Sequence, residues 1–229
     1  MPSYRIPSSL CASIFAPPDT GTSCLWLTAA PGSLCADDLL SPHTPTASPL
    51  REWHHVSVPK GFAPSLLAVS PEGLDLLKGV EELHLKPYDD QTGDDITAWV
   101  KGATIGYGHL IAKIDWSRYE KGITQAEADA LFDADLAPFV GTVSETITVG
   151  LQQYEFDALV ILAFNIGRQG FKTSSVAKLV NDPKAVTVFA DLEAAWKSWN
   201  KSQGQVMKGL TNRRACEWAI YTSARYERW

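Results

Sequence analysis

Glu81, Asp90 and Thr104 are the residues whose types and spacing could do chemistry together. Glu81 stands where a helical pattern ends, Asp90 follows Tyr88 in a turn, and Thr104 opens the run Thr104-Ile105-Gly106-Tyr107-Gly108-His109. A carboxylic acid held neutral can protonate a poor oxygen leaving group. A second carboxylate can activate water or stabilise positive charge, and a hydroxyl can fix that water. Hydrolysis of a glycosidic bond requires this combination. Val80, Leu83 and Leu85 surround Glu81 in sequence and supply apolar contacts that would raise its pKa by desolvation. Spacing alone leaves the ordinary readings open: two acids at a solvated helix end, Thr104 as a strand former, His109 as a hydrogen-bonded structural histidine. Glu82 is expected to face solvent and Asp89 to serve a turn.

Several elements must position these groups. Ser70-Pro71-Glu72 is a helix start, with Ser at the cap, Pro first and an acid in the first turn. Leu74, Leu77 and Val80 then suggest one buried face. Gly93, Gly102, Gly106 and Gly108, set among Thr, Ile, Trp, Val and Tyr, predict short strands and tight turns over 86–110. Thr124-Gln125-Ala126-Glu127 is a capping box that opens a helix to about Val140. Residues 151–166 are apolar almost all round from Phe156, as in a central buried helix. Further helices are expected over 174–181, 184–198 and 209–224, with Cys216 as a buried core thiol. The fold class is α+β: mainly helical, with a small β-hairpin subdomain.

The stretch from Glu81 to Asp90, followed by the Thr104–His109 run, resembles the signature of the phage-type lysozymes, glycoside hydrolase family 24. Phe164-Asn165-Ile166-Gly167 resembles that family's F-N-x-G, and Gly209-Leu210-Thr211-Asn212-Arg213-Arg214-Ala215-Cys216-Glu217 its G-L-x-x-R-R-x-x-E. Trp196 and Trp199 lie where related sequences carry tryptophan before that segment. The resemblance covers residues 70–229 and implies a lysozyme-like fold with the β-hairpin lining a cleft. It implies an inverting muramidase that cuts the β-1,4 bond between N-acetylmuramic acid and N-acetylglucosamine. Glu81 would be the acid, Asp90 and Thr104 would hold the attacking water, and Tyr88, Trp99 and Asn165 would meet the glycan. Two departures stand out. Thirteen residues separate Asp90 from Thr104, more than the family usually has, and Asp94 to Ala103 reads as a lengthened hairpin on the rim, where Trp99 either stacks on sugar or packs the hairpin. Glu82 stands where a Gly commonly follows the acid.

Two other readings compete. A lytic transglycosylase needs only the Glu, so the Asp90–Thr104 pair argues against it. A non-catalytic glycan-binding module on the same fold would need no carboxylate at 81. An amidase is disfavoured because 70–229 carries no metal-ligand set, and no cofactor is expected.

Composition sets the remaining bounds. The 229 residues carry a net charge of −6 and 45% hydrophobic residues, which suits a packed domain and argues against a nucleic-acid partner. Residues 1–69 form an irregular Pro/Ser/Thr-rich segment, expected to be dispensable for chemistry, with 70–229 as the hydrolase domain. Nine of the fourteen prolines lie before residue 60. The patch Leu10 to Ala16 makes a poor secretion signal. The resemblance implies peptidoglycan as the partner and action in the periplasm or on the wall of a host or target cell; the poor signal adds a holin or secretion machine for delivery, and an immunity protein if the chain is an effector. Cys11, Cys24 and Cys35 match no strong zinc pattern, although with His43 they could ligate a metal; a disulfide among them suits an oxidising compartment.

Overall fold

The computed structural model describes residues 61–229. The expectations for the irregular arm, for Cys11, Cys24, Cys35 and for His43 lie outside the described residues, apart from the arm's last nine positions. In chain order the elements are α1 (Pro71–Val80), β1 (His84–Asp89), β2 (Ala103–Gly106), β3 (His109–Leu110), α2 (Trp116–Tyr119), α3 (Gln125–Thr146), α4 (Gln153–Ile166), α5 (Arg168–Thr173), α6 (Ser175–Asn181), α7 (Leu192–Lys197), β4 (Lys201–Ser202), β5 (Gln205–Val206) and α8 (Lys208–Ser223). β1, β2 and β3 form an antiparallel sheet in sequence order. The α+β expectation is met.

α4 is the centre of the helical core. Every residue from Phe156 to Ala163 is buried, and α3, α5 and α8 pack around it. A charged residue sits inside this apolar run. The buried Asp157 carboxylate accepts hydrogen bonds from the Ser70 amide (3.0 Å), the Ser70 hydroxyl, Gln153 Nε2 (2.9 Å) and the Tyr226 hydroxyl (2.6 Å). Four donors satisfy a carboxylate that would otherwise be costly to bury. Asp157 thereby fixes the start of α1. The Ser70 hydroxyl also accepts from the Gly73 amide, as the cap pattern predicts.

Local chemistry moved several boundaries. α1 buries Gly73, Leu76 and Leu77, with Leu74 and Val80 only partly covered. α3 begins at its capping box but runs past Val140 to Thr146. Thr142 and Val143 are buried, and the Thr142 and Thr146 hydroxyls donate to carbonyls one turn back, so Gly141 does not end the helix. The helix expected over 184–198 shrinks to α7. Val186-Thr187-Val188 is a β-branched run, and the Asp191 side chain, accepting from the Ala194 amide, is the stronger start signal. Cys216 is half-buried beside the Arg228 carbonyl rather than in the core, and burial pushes its thiol pKa up.

Residues 61–69 are stitched to the helical core. Phe62 and Leu151 exchange two backbone hydrogen bonds (2.8 and 2.9 Å), and Gln153 Nε2 donates to the Ala68 carbonyl (2.7 Å). Pro64 is buried, and Leu67 and Val69 pack against the core. A fragment starting at 70 forfeits these contacts, a loss of about 2–3 kcal/mol at usual hydrogen-bond and burial values. A 61–229 fragment is therefore expected to melt about 5–10 °C above a 70–229 fragment. Equal midpoints by calorimetry would show that residues 61–69 contribute nothing to stability.

Candidate active site

Glu81 is the C-cap of α1, and its amide donates to the Leu77 carbonyl (3.2 Å). Its side chain is 14% exposed, and one carboxylate oxygen lies 3.8 Å from Arg213 Nη1. Burial pushes the Glu81 pKa up, and the Arg213 charge opposes part of that rise. The next residue, Glu82, is exposed with φ +27°, in the left-handed region where a glycine is at ease. The backbone thus keeps the turn that the resemblance associates with Gly, although the side chain differs.

Arg213 belongs to a buried charge cluster on α8. Its Nε donates to Glu217 Oε1 (3.0 Å), which also receives Arg214 Nη2 (2.7 Å). Trp196 Nε1 donates to the other Glu217 oxygen (3.1 Å), and Arg214 Nη2 reaches Asn165 Oδ1 (2.8 Å). Asn165 comes from the end of α4, just before Gly167, whose φ of +82° lets the chain turn directly into α5. Glu81 and Asn165 are therefore linked through Arg213, Glu217 and Arg214.

Asp90 and Thr104 meet around a different atom. Tyr88 pairs with Thr104 across β1 and β2, and Asp89 pairs with Ala103. The Gly102 carbonyl accepts both the Asp90 amide (3.2 Å) and the Thr104 hydroxyl (2.9 Å). Gly102 has φ +99°, a conformation that L side chains rarely adopt. Because the Thr104 proton is donated to Gly102, its oxygen lone pairs remain able to accept. Tyr88 is buried and stacks on His84, with ring centroids 4.1 Å apart. His109 Nδ1 lies 2.9 Å from Asp135, in keeping with its structural reading.

The lengthened hairpin expected over Asp94 to Ala103 forms only at Asp94–Ile96, which turn back onto the end of β1. The Asp89 amide donates to the Asp94 carbonyl (2.9 Å) and the Ile96 amide to the Pro87 carbonyl (2.9 Å), on either side of a bridge between Tyr88 and Asp95; residues 97–102 are irregular, and Ala103 begins β2. Asp89 Oδ1 accepts from the Gln91 amide to start the turn, and Ile96, Trp99 and Val100 pack on a small second core of Ala103, Ile105, Ile111 and Tyr119. A short piece of ladder, an Asx turn and side-chain packing together hold this stretch. Trp99 Nε1 donates to the Ile111 carbonyl (2.9 Å), and Lys113 Nζ stands 5.5 Å from its ring centroid.

The six residues singled out in the sequence thus fall into two sets: Glu81 with Asn165, and Asp90, Thr104, Tyr88 and Trp99 around the sheet. The charge cluster of Arg213, Arg214, Glu217 and Trp196 was not assigned a role from sequence. Its available signal was an Arg pair with a Glu three and four positions on, on one face of a helix. Among the described residues, no group of three or more His, Cys, Asp or Glu side chains has metal-holding geometry, and no helix is long and apolar enough to cross a membrane.

Known proteins share this arrangement of elements. The endolysin from Escherichia coli O157:H7 phage FAHEc1 superposes with a TM-score of 0.56 at 31% identity, covering 71% of this chain and 98% of that one. The muramidase domain of SpmX from Asticaccaulis excentricus gives 0.54 at 30%, covering 69% and 99%. The endolysin of Bacillus phage PZA is 34% identical over 157 residues, which is 69% of this chain but only 56% of that relative. Residues 78–217 match the family Phage lysozyme, and by that match and these relatives the chain belongs to the phage lysozyme family.

Proposed function

We propose that this chain is a muramidase that hydrolyses the β-1,4 bond between N-acetylmuramic acid and N-acetylglucosamine in bacterial peptidoglycan. The observation that carries the reading is Glu81, a carboxyl group whose pKa is raised by burial and which stands beside one cation. A raised pKa leaves more of the acid protonated at a given pH, which favours protonation of a glycosidic oxygen. Arg213 then stabilises the carboxylate left after the proton has gone, which strengthens the acid as the bond breaks. Asp90 takes the proton from the attacking water, and Thr104 accepts a hydrogen bond from that water. Attack from the face opposite the leaving group inverts the anomeric centre. Tyr88, Trp99 and Asn165 contact the glycan, and residues before 70 take no part in the chemistry. The site of action is the periplasm or cell wall of a host or target bacterium. A holin or a secretion machine delivers the chain there, and an immunity protein protects a producing cell.

Glu81→Gln is expected to lower peptidoglycan cleavage by about 10²–10⁴-fold, because the amide cannot deliver a proton. The same variant tests the environment of the carboxyl. Folding raises the Glu81 pKa, so the folded state favours the protonated form, and the advantage is present at acid pH and lost as pH rises through the folded pKa. The melting temperature of Glu81→Gln relative to the native chain should therefore climb from pH 4 to pH 8. A constant difference, or unimpaired cleavage, contradicts the assignment. In the native chain, activity should fall on the alkaline side as Glu81 ionises.

Asp90→Ala and Thr104→Ala are each expected to reduce kcat by at least about 10-fold with little change in KM, since placing water matters at the transition state. A change confined to KM would remove them from the water-holding role. Mass spectrometry of released muropeptides distinguishes hydrolysis from the anhydro-sugar product of a transglycosylase.

For Trp99, the contacts with Ile111 and Lys113 predict a lower melting temperature in Trp99→Ala. Trp99→Phe keeps apolar bulk in the small core. If Trp99 also meets sugar, it should weaken glycan binding in a sedimentation assay; unchanged binding at native stability restricts the residue to packing.

A further inference from the structure

The segment that follows α8 is held along that helix in a defined register. Ala224 takes a left-handed conformation, φ +53°, and reverses the chain. The Arg225 amide then meets the Ala219 carbonyl (3.4 Å), the Arg228 carbonyl lies 4.0 Å from Cys216 Sγ, and the Trp229 ring covers the Arg213 guanidinium at 4.7 Å from its centroid. The contacts step back along α8 from 219 to 216 to 213. Two anchors keep the segment in place. The Tyr226 hydroxyl donates to buried Asp157, and the Arg228 guanidinium lies against Gly79, in the last turn of α1, where any Cβ would displace it.

We propose that Trp229 is a positioning residue, whose ring holds the Arg213 guanidinium beside the Glu81 carboxyl. Arg213 makes one strong hydrogen bond, Nε to Glu217, while its Nη1 is 3.8 Å from Glu81 and its buried Nη2 has no hydrogen-bond partner. A guanidinium so incompletely satisfied is not fixed by hydrogen bonds alone, and an aromatic face supplies the missing contact without competing for Glu81. Glu81 itself faces Arg213 across from α8. Glu217 and Arg214 stand behind that arginine, Glu82 adjoins Glu81 in the chain, and the Arg228 guanidinium lies against the last turn of α1. Releasing the ring lets Arg213 withdraw toward Glu217, which weakens its pull on Glu81 and makes the acid harder to ionise. The consequence for rate rests on the muramidase reading; the coupling between Trp229 and Glu81 does not.

The test is a carbon-13 NMR titration of the Glu81 carboxyl in the full chain without glycan, assigned by Glu81→Gln and paired with melting curves. Trp229→Leu is expected to raise the Glu81 midpoint by about 0.5 pH unit, and Trp229→Phe by less, since a smaller aromatic face remains. In an Arg213→Gln background Trp229→Leu should leave the midpoint where it was, a result that mere packing would not produce. The alkaline limb of peptidoglycan cleavage should move with the titration. An unchanged or lowered midpoint in a folded Trp229→Leu chain overturns the proposal, as does an equal shift with Arg213→Gln present. Should Trp229→Leu fail to fold, Trp229→Phe decides alone: a midpoint at or below the native one overturns it. Failure of the muramidase reading would appear instead as cleavage by Glu81→Gln.

Discussion

Two arginines and one glutamate are buried side by side on α8, and that local count does not balance. Glu217 neutralises one positive charge, and Arg213 and Arg214 bring two. Among the described residues, a carboxyl that can complete the balance is Glu81, at the end of a helix more than a hundred residues earlier in the chain. An uncompensated buried charge is costly, by several kcal/mol, so the interior favours an ionised Glu81. Desolvation favours the protonated form, and it is the larger influence. The carboxyl is therefore held between two opposed demands, an arrangement that suits the acid role proposed for it.

That opposition works only if the distance between α1 and α8 is held. α4 supplies the hold at both ends. At its start, Asp157 binds Ser70, the first cap of α1, together with Tyr226 beyond α8. At its end, Asn165 accepts from Arg214. The two polar groups flank the hydrocarbon run Ala158 to Phe164, and each is matched to donors rather than left open. The position of Glu81 follows from α4 through two independent sets of hydrogen bonds, with apolar packing filling the space between them.

The parts legible in the sequence are those specified by local chemistry. The Ser70-Pro71 start, the Thr124 capping box and the buried run after Phe156 each carry their own signal, and each became the expected element. Glu81 could be placed at a helix end because the α1 pattern stops there. What stayed hidden depends on partners far apart in sequence. Asp157 looks like a defect in an apolar helix until Ser70 and Tyr226 meet it. Arg213 looks like a surface residue until Glu217 and Glu81 are beside it. Cys216 sits in an apolar pattern but faces the returning segment near Arg228, a contact no periodicity encodes. The shortened α7 was a matter of two competing starts, in which the Asp191 cap prevailed over the longer pattern.

The long connection between Asp90 and Thr104 shows where this scaffold can absorb change. Loop-closure entropy grows only by about 0.6 kcal/mol per doubling of length, so extra residues cost little if the loop ends stay where they are. Here a single carbonyl keeps them there: Gly102 accepts from both Asp90 and Thr104, and the Tyr88–Thr104 pairing survives. The inserted apolar side chains, Ile96, Trp99 and Val100, offset the entropy by covering the small second core. Glu82 is a different kind of change, with no such compensation in its backbone. An L residue at φ +27° carries strain of about 1–2 kcal/mol that glycine would avoid. The turn keeps its shape despite that strain because α1 is fixed before it and β1 pairs with β2 after it. Placement of the carboxyl is thus set by the elements on either side rather than by the residue that follows it.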